Sequence, residues 1–261
     1  MSEDIICRIV NVTKVFPGVI ALNNVSFDIK KGEIHAIIGE NGAGKSTLMN
    51  ILFGMPVISS TGGYQGTIEI AGEPVHINTP HAAMAHGIGM VHQEFMLIPG
   101  FTITENIKLN REITKENIVS RIFGKQYESL DINKMNADAR TALDKMEMGI
   151  EEFTLVAGLP VGHMQFIEIA REIDKTGLKI LVFDEPTAVL TESETQNLLS
   201  AIKKLATSGI GIIFISHRLD ETSLVGDTTA NDRDNYLLIT MNTKDTTTHV
   251  ISHLMIGRDV S

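Results

Sequence analysis

Apolar and polar residues alternate along the first 30 positions of the chain, in IICRIVNV and again in VSFDI. Because successive side chains of a strand point to opposite faces of a sheet, this alternation predicts antiparallel strands. The segment GEIHAIIG is a short apolar strand, and the helix-like KSTLMNILFG follows it after a glycine-rich turn. GTIEIAGEPVHI predicts a second hairpin, and IGMVHQ returns the chain to a strand.

The strand pattern is lost from about residue 103 to about residue 177, where NKMNADARTALDKMEM and GHMQFIEIAREID have the period of amphipathic helices. After this region a strand, a helix and a strand alternate, in KILVFDE, TESETQNLLSAIKKLATSG and IGIIFISH. That alternation indicates a parallel sheet. We therefore predict one α/β domain over residues 1–261, with an antiparallel β subdomain. Its core occupies about 1–95 and 178–261, and an inserted helical subdomain occupies about 96–177.

Composition and charge narrow the range of partners. Hydrophobic residues make up 43% of the 261 positions and charged residues 21%, which is an ordinary globular composition. The net charge of −10 repels phosphate backbones, so nucleic acid is not expected as a partner. The single cysteine, Cys7, suits a reducing compartment. With no long apolar run and no signal-peptide pattern at the N-terminus, the chain is expected to be cytosolic, and work at a membrane would need a membrane partner.

The strongest chemical signal is GENGAGKST, at residues 39–47, which fits the phosphate-loop pattern G-x-x-x-x-G-K-[ST] between a strand and a helix. Its glycines allow successive backbone N–H groups to surround phosphate oxygens, and the helix dipole adds to that field. Lys45 is predicted to contact the β and γ phosphates and the Ser46 hydroxyl to bind Mg²⁺. A chance glycine-rich turn is the alternative. The predicted nucleotide contacts of the loop are Gly39, Glu40, Asn41, Gly42, Ala43, Gly44, Lys45, Ser46 and Thr47.

A second acidic motif, ILVFDEPT, ends an apolar strand with Asp184 and Glu185. Ligands of open α/β sheets bind at the carboxyl ends of the strands, so both side chains are expected at the nucleotide site. Asp184 is predicted to hold Mg²⁺, and Glu185 to orient the attacking water and accept its proton. The alternative is an acidic cap between a strand and a loop, with no catalytic role.

With these motifs the chain resembles the ATP-binding cassette ATPases over almost its whole length, which implies a P-loop NTPase fold with a mixed sheet core. The resemblance implies roles for three further residues. Gln93 would contact Mg²⁺ and water, His217 would contact the γ-phosphate, and the Phe16 ring would stack on adenine. Out of context these are a polar loop residue, a histidine at a strand end and a core phenylalanine. Since NKMN lacks the aspartate with which GTPases recognise guanine, ATP is favoured.

Within that family GENGAGKSTLMNIL, GIGMVHQEFMLIPGFTITENI and DEPTAVLTESE are most similar to importer ATPases for monosaccharides or nucleosides. The resemblance implies an ATP-hydrolysing motor on the cytoplasmic face of the membrane, bound to permease subunits. A second cassette would pair with it head-to-tail, and an extracytoplasmic substrate-binding protein would take part indirectly. The alternatives are a cassette ATPase without a transport role, and a weakly hydrolysing, nucleotide-dependent interaction module.

The chain departs from the family pattern at the signature loop, which is usually Leu-Ser-Gly-Gly-Gln and reads LPVGH at residues 159–163. Pro160 has neither a hydroxyl nor an N–H group, so we expect a helix start that holds a partner's phosphate weakly. Because one polypeptide of the monosaccharide group often carries two cassettes, we expect this chain to be the N-terminal half of such a pair, or its stand-alone equivalent. A second departure, TAND at residues 229–232, is poor strand material and predicts a frayed or rearranged edge.

Overall fold

The computed structural model describes residues 5–38, 44–216, 228–233 and 237–242. The strands in these ranges are β1 (Ile5–Phe16), β2 (Val19–Lys30), β3 (Ile34–Ile38), β4 (Gln65–Ile70), β5 (Glu73–Val75), β6 (Ile88–Val91), β7 (Thr114–Lys115), β8 (Ser129–Leu130), β9 (Ile180–Asp184), β10 (Gly211–Ser216), β11 (Thr228–Arg233) and β12 (Leu237–Asn242). The helices are α1 (Lys45–Leu52), α2 (Pro56–Ser60), α3 (Pro80–Ala85), α4 (Ile103–Lys108), α5 (Ile118–Phe123), α6 (Ile132–Lys145), α7 (Val161–Ile173) and α8 (Glu192–Thr207).

A six-stranded sheet in the order β12-β11-β3-β10-β9-β6 forms the core. The strands from β11 to β6 are parallel, and β12 pairs with β11 in the antiparallel sense. Every residue of β3, β6 and β10 is buried, which explains why these strands are almost entirely apolar. The predicted α/β fold with a mixed sheet is confirmed.

A four-stranded antiparallel sheet, in the order β2-β1-β4-β5, forms the predicted β subdomain. Cys7 and Ile9 of β1 are buried at alternate positions, as the apolar-polar alternation predicts. The pairing register shifts between Ile9 and Val12, where Asn11 has φ +52°, and Val12 is buried as well. These side chains belong to one hydrophobic cluster with residues from both sheets and from α1, such as Ile213 and Leu48. Burial of this shared cluster is the main stabilising contribution to the two sheets.

Backbone contacts divide the chain into two compact units: unit 1 is Met1–Gln93 with Gly177–Ser261, and unit 2 is Glu94–Thr176. Unit 1 contains the two sheets described above, and unit 2 contains α4 to α7. Unit 2 also holds a two-residue hairpin, β7 paired with β8, where the sequence indicated helices alone. Strands of two residues are too short to show an alternation that a sequence pattern can detect. Among the helices that the structure describes, none is long and apolar enough to cross a membrane.

The prediction of a frayed or rearranged edge at residues 229–232 was wrong. These residues lie in β11, which pairs with β3 from Thr228 opposite His35 to Asn231 opposite Ile38. Its other edge pairs with β12 along its whole length. Strand propensity is a weak preference that depends on context, and backbone pairing to a neighbour on each side outweighs it here.

The chain re-enters unit 1 beside Gly87, whose φ of +87° places it in the left-handed region. A Cβ atom at this position would lie 2.4 Å from the carbonyl oxygen of Gly177, so a side chain cannot fit there. The Gly87 carbonyl accepts hydrogen bonds from the N–H groups of Lys179 and Ile180, at 2.8 and 3.0 Å. Gly87 therefore fixes the point at which β9 starts alongside β6.

Candidate functional site

Several predicted site residues of unit 1 lie at one edge of the six-stranded sheet. The parallel register brings the carboxyl ends of four strands to the same level, with Ile38 opposite Ser216, Asp184 opposite Ile215, and Val91 opposite Phe183. The phosphate-loop segment follows β3, Asp184 ends β9, and Gln93 comes two residues after β6. This is the edge at which α/β sheets bind their ligands.

Helix α1 begins inside the phosphate-loop motif, at Lys45. Gly44 precedes it with φ +93° and ψ −5°, a left-handed conformation that glycine adopts without strain, and no side chain caps the helix. Lys45 is 8% exposed, whereas Ser46 is exposed and Thr47 is half-buried. The free N–H groups and dipole of such a helix start favour an anion. The loop contacts predicted at Gly39, Glu40, Asn41, Gly42 and Ala43 lie outside the described residues.

The half-buried Asp184 carboxyl connects the two motifs electrostatically. Burial raises the pKa of Asp184 above its usual value, and the neighbouring charge of Glu185 raises it further. The charges of His92 and Lys45 act on the same pKa in the opposite direction. Lys45 therefore shares one site with Asp184 and Glu185, from which it is far apart in the sequence.

Glu185 has a strained backbone, with φ +47° in the left-handed region. Its N–H group donates to the Ile215 carbonyl at 3.0 Å, and its own carbonyl accepts from Ala188 at 3.3 Å. These bonds fix the chain as it turns out of β9. Residues held in such conformations cluster at active sites, because the surrounding structure has to maintain them. The strain thus falls on the residue that the motif marked as the general base.

The residues around the end of β6 include one that the sequence analysis missed. Gln93 is exposed, and His92 before it is half-buried. The His92 ring meets the Phe53 ring edge-on, with centroids 6.0 Å apart, and its charge acts on Asp184. The position of His92 at the end of an apolar strand, where ligands of such sheets bind, is the signal that could have identified it.

Phe16 ends β1, half-buried, and packs against the hydrophobic cluster of unit 1. The Nζ atom of Lys14 lies over its ring, 4.6 Å from the centroid. This distance is within the range of a cation–π interaction. The predicted γ-phosphate contact, His217, directly follows Ser216 of β10 in the chain and lies outside the described residues.

The side chains present suit a magnesium ion that has few protein ligands. The described ranges contain no group of three or more His, Cys, Asp or Glu side chains that could hold a metal ion. Magnesium bound with a nucleotide usually keeps several waters and takes one or two protein oxygens besides the phosphates. Of the three predicted ligands, the Ser46 hydroxyl is exposed, the Asp184 carboxyl is half-buried, and Gln93 is exposed. This donor set fits such an ion.

In unit 2 the segment LPVGH starts α7. Pro160 is the N-cap residue with φ −56° and ψ 149°, and no side chain caps the helix. Its carbonyl accepts a hydrogen bond from Met164 at 3.1 Å, so the helix begins at Val161, as the sequence predicted. Gly162 is buried, and His163 and Pro160 are exposed.

Comparison with known proteins matches the part of the chain that contains both the phosphate-loop motif and the acidic motif. A family profile described as "ABC transporter" matches residues 22–188. A xylose import ATP-binding protein of Thermoanaerobacter pseudethanolicus is 39% identical over 261 residues, which is 100% of this chain and 48% of the relative. A nucleoside import ATP-binding protein of Lactococcus lactis subsp. cremoris is 38% identical over 261 residues, again 100% and 48%. The chain thus spans about half the length of the relatives that it matches.

Solved structures show the same fold at lower sequence identity. A nucleotide-free ATP-binding cassette from an ABC transporter superimposes with a TM-score of 0.75 at 24% identity, covering 91% of each chain. The ADP conformation of another ATP-binding cassette of an ABC transporter gives a TM-score of 0.76 at 23% identity, covering 96% of this chain and 94% of that one. The arrangement of sheets and helices described above is therefore shared with these cassettes.

Proposed function

The chain belongs to the ABC transporter family, and from this premise we propose that it is the ATP-hydrolysing motor subunit of an importer for a monosaccharide or a nucleoside. One observation carries the ATPase part of the proposal. The charges of Lys45, at the start of α1, and of Glu185 both act on the Asp184 carboxyl at the carboxyl edge of the parallel sheet. The cargo class is taken from the xylose and nucleoside import proteins that the chain is similar to.

In this proposal each side chain of the site has a separate task. Lys45 and the backbone N–H groups at the start of α1 hold the triphosphate, and the Phe16 ring stacks on adenine. Ser46, Gln93 and Asp184 hold Mg²⁺, which when bound neutralises charge on the phosphate oxygens. Its charge would offset the burial that raises the pKa of Asp184, and the carboxylate form would be favoured.

Hydrolysis then needs a base and an in-line water. Glu185 is positioned by its strained turn to accept a proton from a water whose oxygen attacks the γ-phosphorus. The bond from the γ-phosphorus to the β–γ bridging oxygen breaks, and ADP and phosphate leave. His217, directly after β10, is assigned to the γ-phosphate, and Gln93 to the water.

Glu185→Gln tests this assignment. The amide cannot accept the proton, so we expect ATP turnover to fall by at least about 100-fold while the Kd for ATP changes less than threefold. Glu73→Gln, on an exposed position of β5, is the matched control and should leave both values unchanged. Unchanged turnover in Glu185→Gln would contradict the base assignment. That result would favour the alternative of a nucleotide-dependent interaction module.

We further propose that a different cassette completes the site built on Lys45. In the family's head-to-tail pair, each signature loop faces the partner's nucleotide, and Pro160 offers neither a hydroxyl nor an N–H group. The relatives, about twice the length of this chain, are long enough for a second cassette. The second cassette is either fused to this one or a separate chain. Fast ATP hydrolysis by a purified homodimer of this chain would rule out the requirement.

The permease contact is assigned to an apolar surface of unit 2. Two segments, residues 96–103 and 153–157, run side by side, with Val156 donating to Phe101 at 3.0 Å and Ala157 donating to Pro99 at 2.9 Å. They expose five large apolar side chains: Met96, Ile98, Phe101, Phe153 and Leu155. A contiguous group of exposed apolar side chains is typical of an interaction site. The permease would hold the chain at the cytoplasmic face of the membrane, and a substrate-binding protein would act through it.

Substitution on this surface separates docking from hydrolysis. Phe153 is 62% exposed, so Phe153→Ser should leave folding and basal ATP hydrolysis unchanged. When the chain is co-expressed with its permease, the same variant should co-purify with less permease. Val189→Ser, at a 60% exposed position of unit 1, is the matched control. Equal recovery of permease with wild type and Phe153→Ser would contradict this assignment.

A further inference from the structure

Lys14 is a buried lysine on β1, two residues before Phe16. Its exposure is 0%, whereas lysines normally keep the ammonium group in water. Four oxygens in the segment that ends α2 lie within hydrogen-bond distance of Nζ, which has three N–H groups to share among them: Ile58 O at 3.3 Å, Thr61 O at 3.0 Å, Thr61 Oγ1 at 2.8 Å and Gly63 O at 2.7 Å. These oxygens are neutral and replace the water that the ammonium lost. They fix the position of the charge.

The same ammonium lies over the Phe16 ring, 4.6 Å from its centroid. A cation attracts the electron-rich face of an aromatic ring, and the attraction grows when water is excluded. Burial lowers the pKa of Lys14, in agreement with a desolvated ammonium. The charge thus holds one face of the Phe16 ring, while the ring remains partly exposed.

We propose that Lys14 is a positioning residue for the nucleotide base, which sets the plane of the Phe16 ring on which the base stacks. The inference rests on the proposed function, in which Phe16 binds adenine. A phenylalanine at the end of a hairpin could otherwise turn about its side-chain bonds. The ammonium contact favours one ring orientation, so less conformational entropy is lost when a base stacks.

Lys14 also links the base site to the phosphate site within unit 1. Helix α1 starts at the phosphate loop, and α2 follows it after a short turn. The oxygens that bind Nζ lie at the end of α2 and in the turn after it, so the chain leaving the phosphate-binding helix is tied to the Phe16 ring. None of the four oxygens that Nζ contacts belongs to α1, whose start is assigned to the phosphates. Loss of this contact should therefore weaken binding of the base and leave binding of the phosphates unchanged.

The test compares two Mg²⁺-bound ligands, ATP and inorganic tripolyphosphate, which has the phosphates and lacks the base. Affinities are measured by calorimetry for the full chain, for Lys14→Met, for Phe16→Leu and for the double variant. Lys14→Met should weaken ATP binding by roughly 3- to 10-fold and change tripolyphosphate binding by less than about twofold. In the Phe16→Leu background it should have no further effect on ATP binding, because its action passes through the ring.

Three outcomes would overturn the inference. Equal weakening of both ligands by Lys14→Met would mean that the lysine only supports the fold. The same loss of ATP affinity with and without Phe16 would mean that it acts by another route. An unchanged preference for ATP in Phe16→Leu would remove base stacking from the proposed function, and this inference with it. Hydrolysis, tested through Glu185, would still stand.

A second variant serves if Lys14→Met does not fold. Thr61→Val removes the hydroxyl acceptor at 2.8 Å and leaves the buried charge in place. We expect ATP binding to weaken by roughly twofold relative to tripolyphosphate. A melting curve confirms that the variant is folded. An unchanged ratio of the two affinities would overturn the inference.

Discussion

Burial determines the reactivity of single side chains, and Cys7 shows this most directly. The side chain is 0% exposed, and burial together with the nearby Asp28 charge raises the pKa of its thiol to about 12. Only the thiolate reacts with alkylating reagents. We therefore expect iodoacetamide at pH 8 to label the native chain at least about 100-fold more slowly than the chain in 6 M urea, as measured by mass spectrometry. Similar rates in both conditions would contradict the buried position.

Glu168 on α7 has a buried carboxyl group, and ionisation of this group lowers the stability of the folded chain. It is 1% exposed, accepts a hydrogen bond from the Met96 N–H at 2.7 Å and pairs with Arg171. Burial raises its pKa, and this outweighs the opposing effects of Arg171 and of the Met96 bond. Because the folded pKa lies above the unfolded one, the cost is absent below the unfolded pKa and complete above the folded pKa.

Glu168→Gln removes that charge and keeps an acceptor for the Met96 N–H group. Relative to wild type, its stability should therefore increase as pH rises from about 4 to 8, by up to about 1 kcal/mol. Urea unfolding at several pH values measures the difference. Glu151→Gln, at an exposed position of the same unit, should show no such trend. A difference that shrinks as pH rises would contradict the direction of the shift.

The sequence predicted some residue environments and missed others for physical reasons. Alternation along β1 places Lys14 on the same face as the buried Val12. The alternation alone does not show which oxygens accept hydrogen bonds from a lysine ammonium that points into the protein. The acidic motif identified Glu185 by type and position. Its left-handed backbone depends on the turn out of β9 and on the bond to Ile215, which is distant in the chain.

At the scale of elements, Asn106 organises the apolar segment before α4. Its side chain is 0% exposed, and its Oδ1 atom accepts from the Ile98 N–H at 2.7 Å. Its Nδ2 group donates to the carbonyls of Ile98 at 3.1 Å and Thr102 at 3.0 Å. The Thr102 carbonyl also accepts from the Asn106 N–H at 3.0 Å, and the Ile98 carbonyl also accepts from the Phe101 N–H at 3.1 Å. The Ile98 N–H is therefore the backbone group that depends on the Asn106 carboxamide.

Asn106→Leu is close in size and leaves the Ile98 N–H group without this acceptor. We expect a loss of about 2–4 kcal/mol in the free energy of unfolding. The Ile98 amide should also exchange with solvent faster, as measured by hydrogen exchange. Asn133→Leu, on the exposed face of α6, should change both quantities little. A loss below about 0.5 kcal/mol for Asn106→Leu would show that the segment is held by other contacts.

Helices and strands were predictable from the sequence where the segment was long enough to show its periodicity. The β1–β2 and β4–β5 hairpins and helices α7 and α8 follow directly from alternation or helical spacing. The β7–β8 hairpin has two residues in each strand, and β11 carries polar residues that disfavour a strand. Both of these are set by pairing with a neighbouring strand, which is a tertiary effect.

At the scale of the whole molecule, the proposed pairing of cassettes gives Pro160 a measurable role. Pro160→Ser restores the family's hydroxyl and the backbone N–H group at an exposed helix start. If two copies pair head-to-tail, the variant should hydrolyse ATP at least about fivefold faster than wild type. The restored groups can donate to the partner's phosphate, and loss of one such donor typically lowers turnover by more than this factor. Turnover is measured as a function of chain concentration, and the increase should appear at concentrations at which two copies associate.

Pro74→Ser, at an exposed position of β5, is the control for the general effect of replacing a proline. A variant Pro160→Ser with wild-type turnover at all concentrations would contradict the assignment of this loop to the nucleotide of a partner. The family and the fold were predictable from motifs within one chain. The partner cassette was not, because the groups that complete the site lie on another surface.

The hydrogen bonds that join Met96 to Glu168 and Arg171 also bear on how quickly the core sheet can assemble. Strands β6 and β9 are neighbours, yet about 90 residues separate them along the chain, and closing so long a flexible loop costs roughly 4 kcal/mol of entropy. Once Met96 contacts α7, the loop left to close is only about 15 residues long. The cost then falls by about 1.5 kcal/mol, so early collapse of the inserted helices would speed the pairing of the strands on either side.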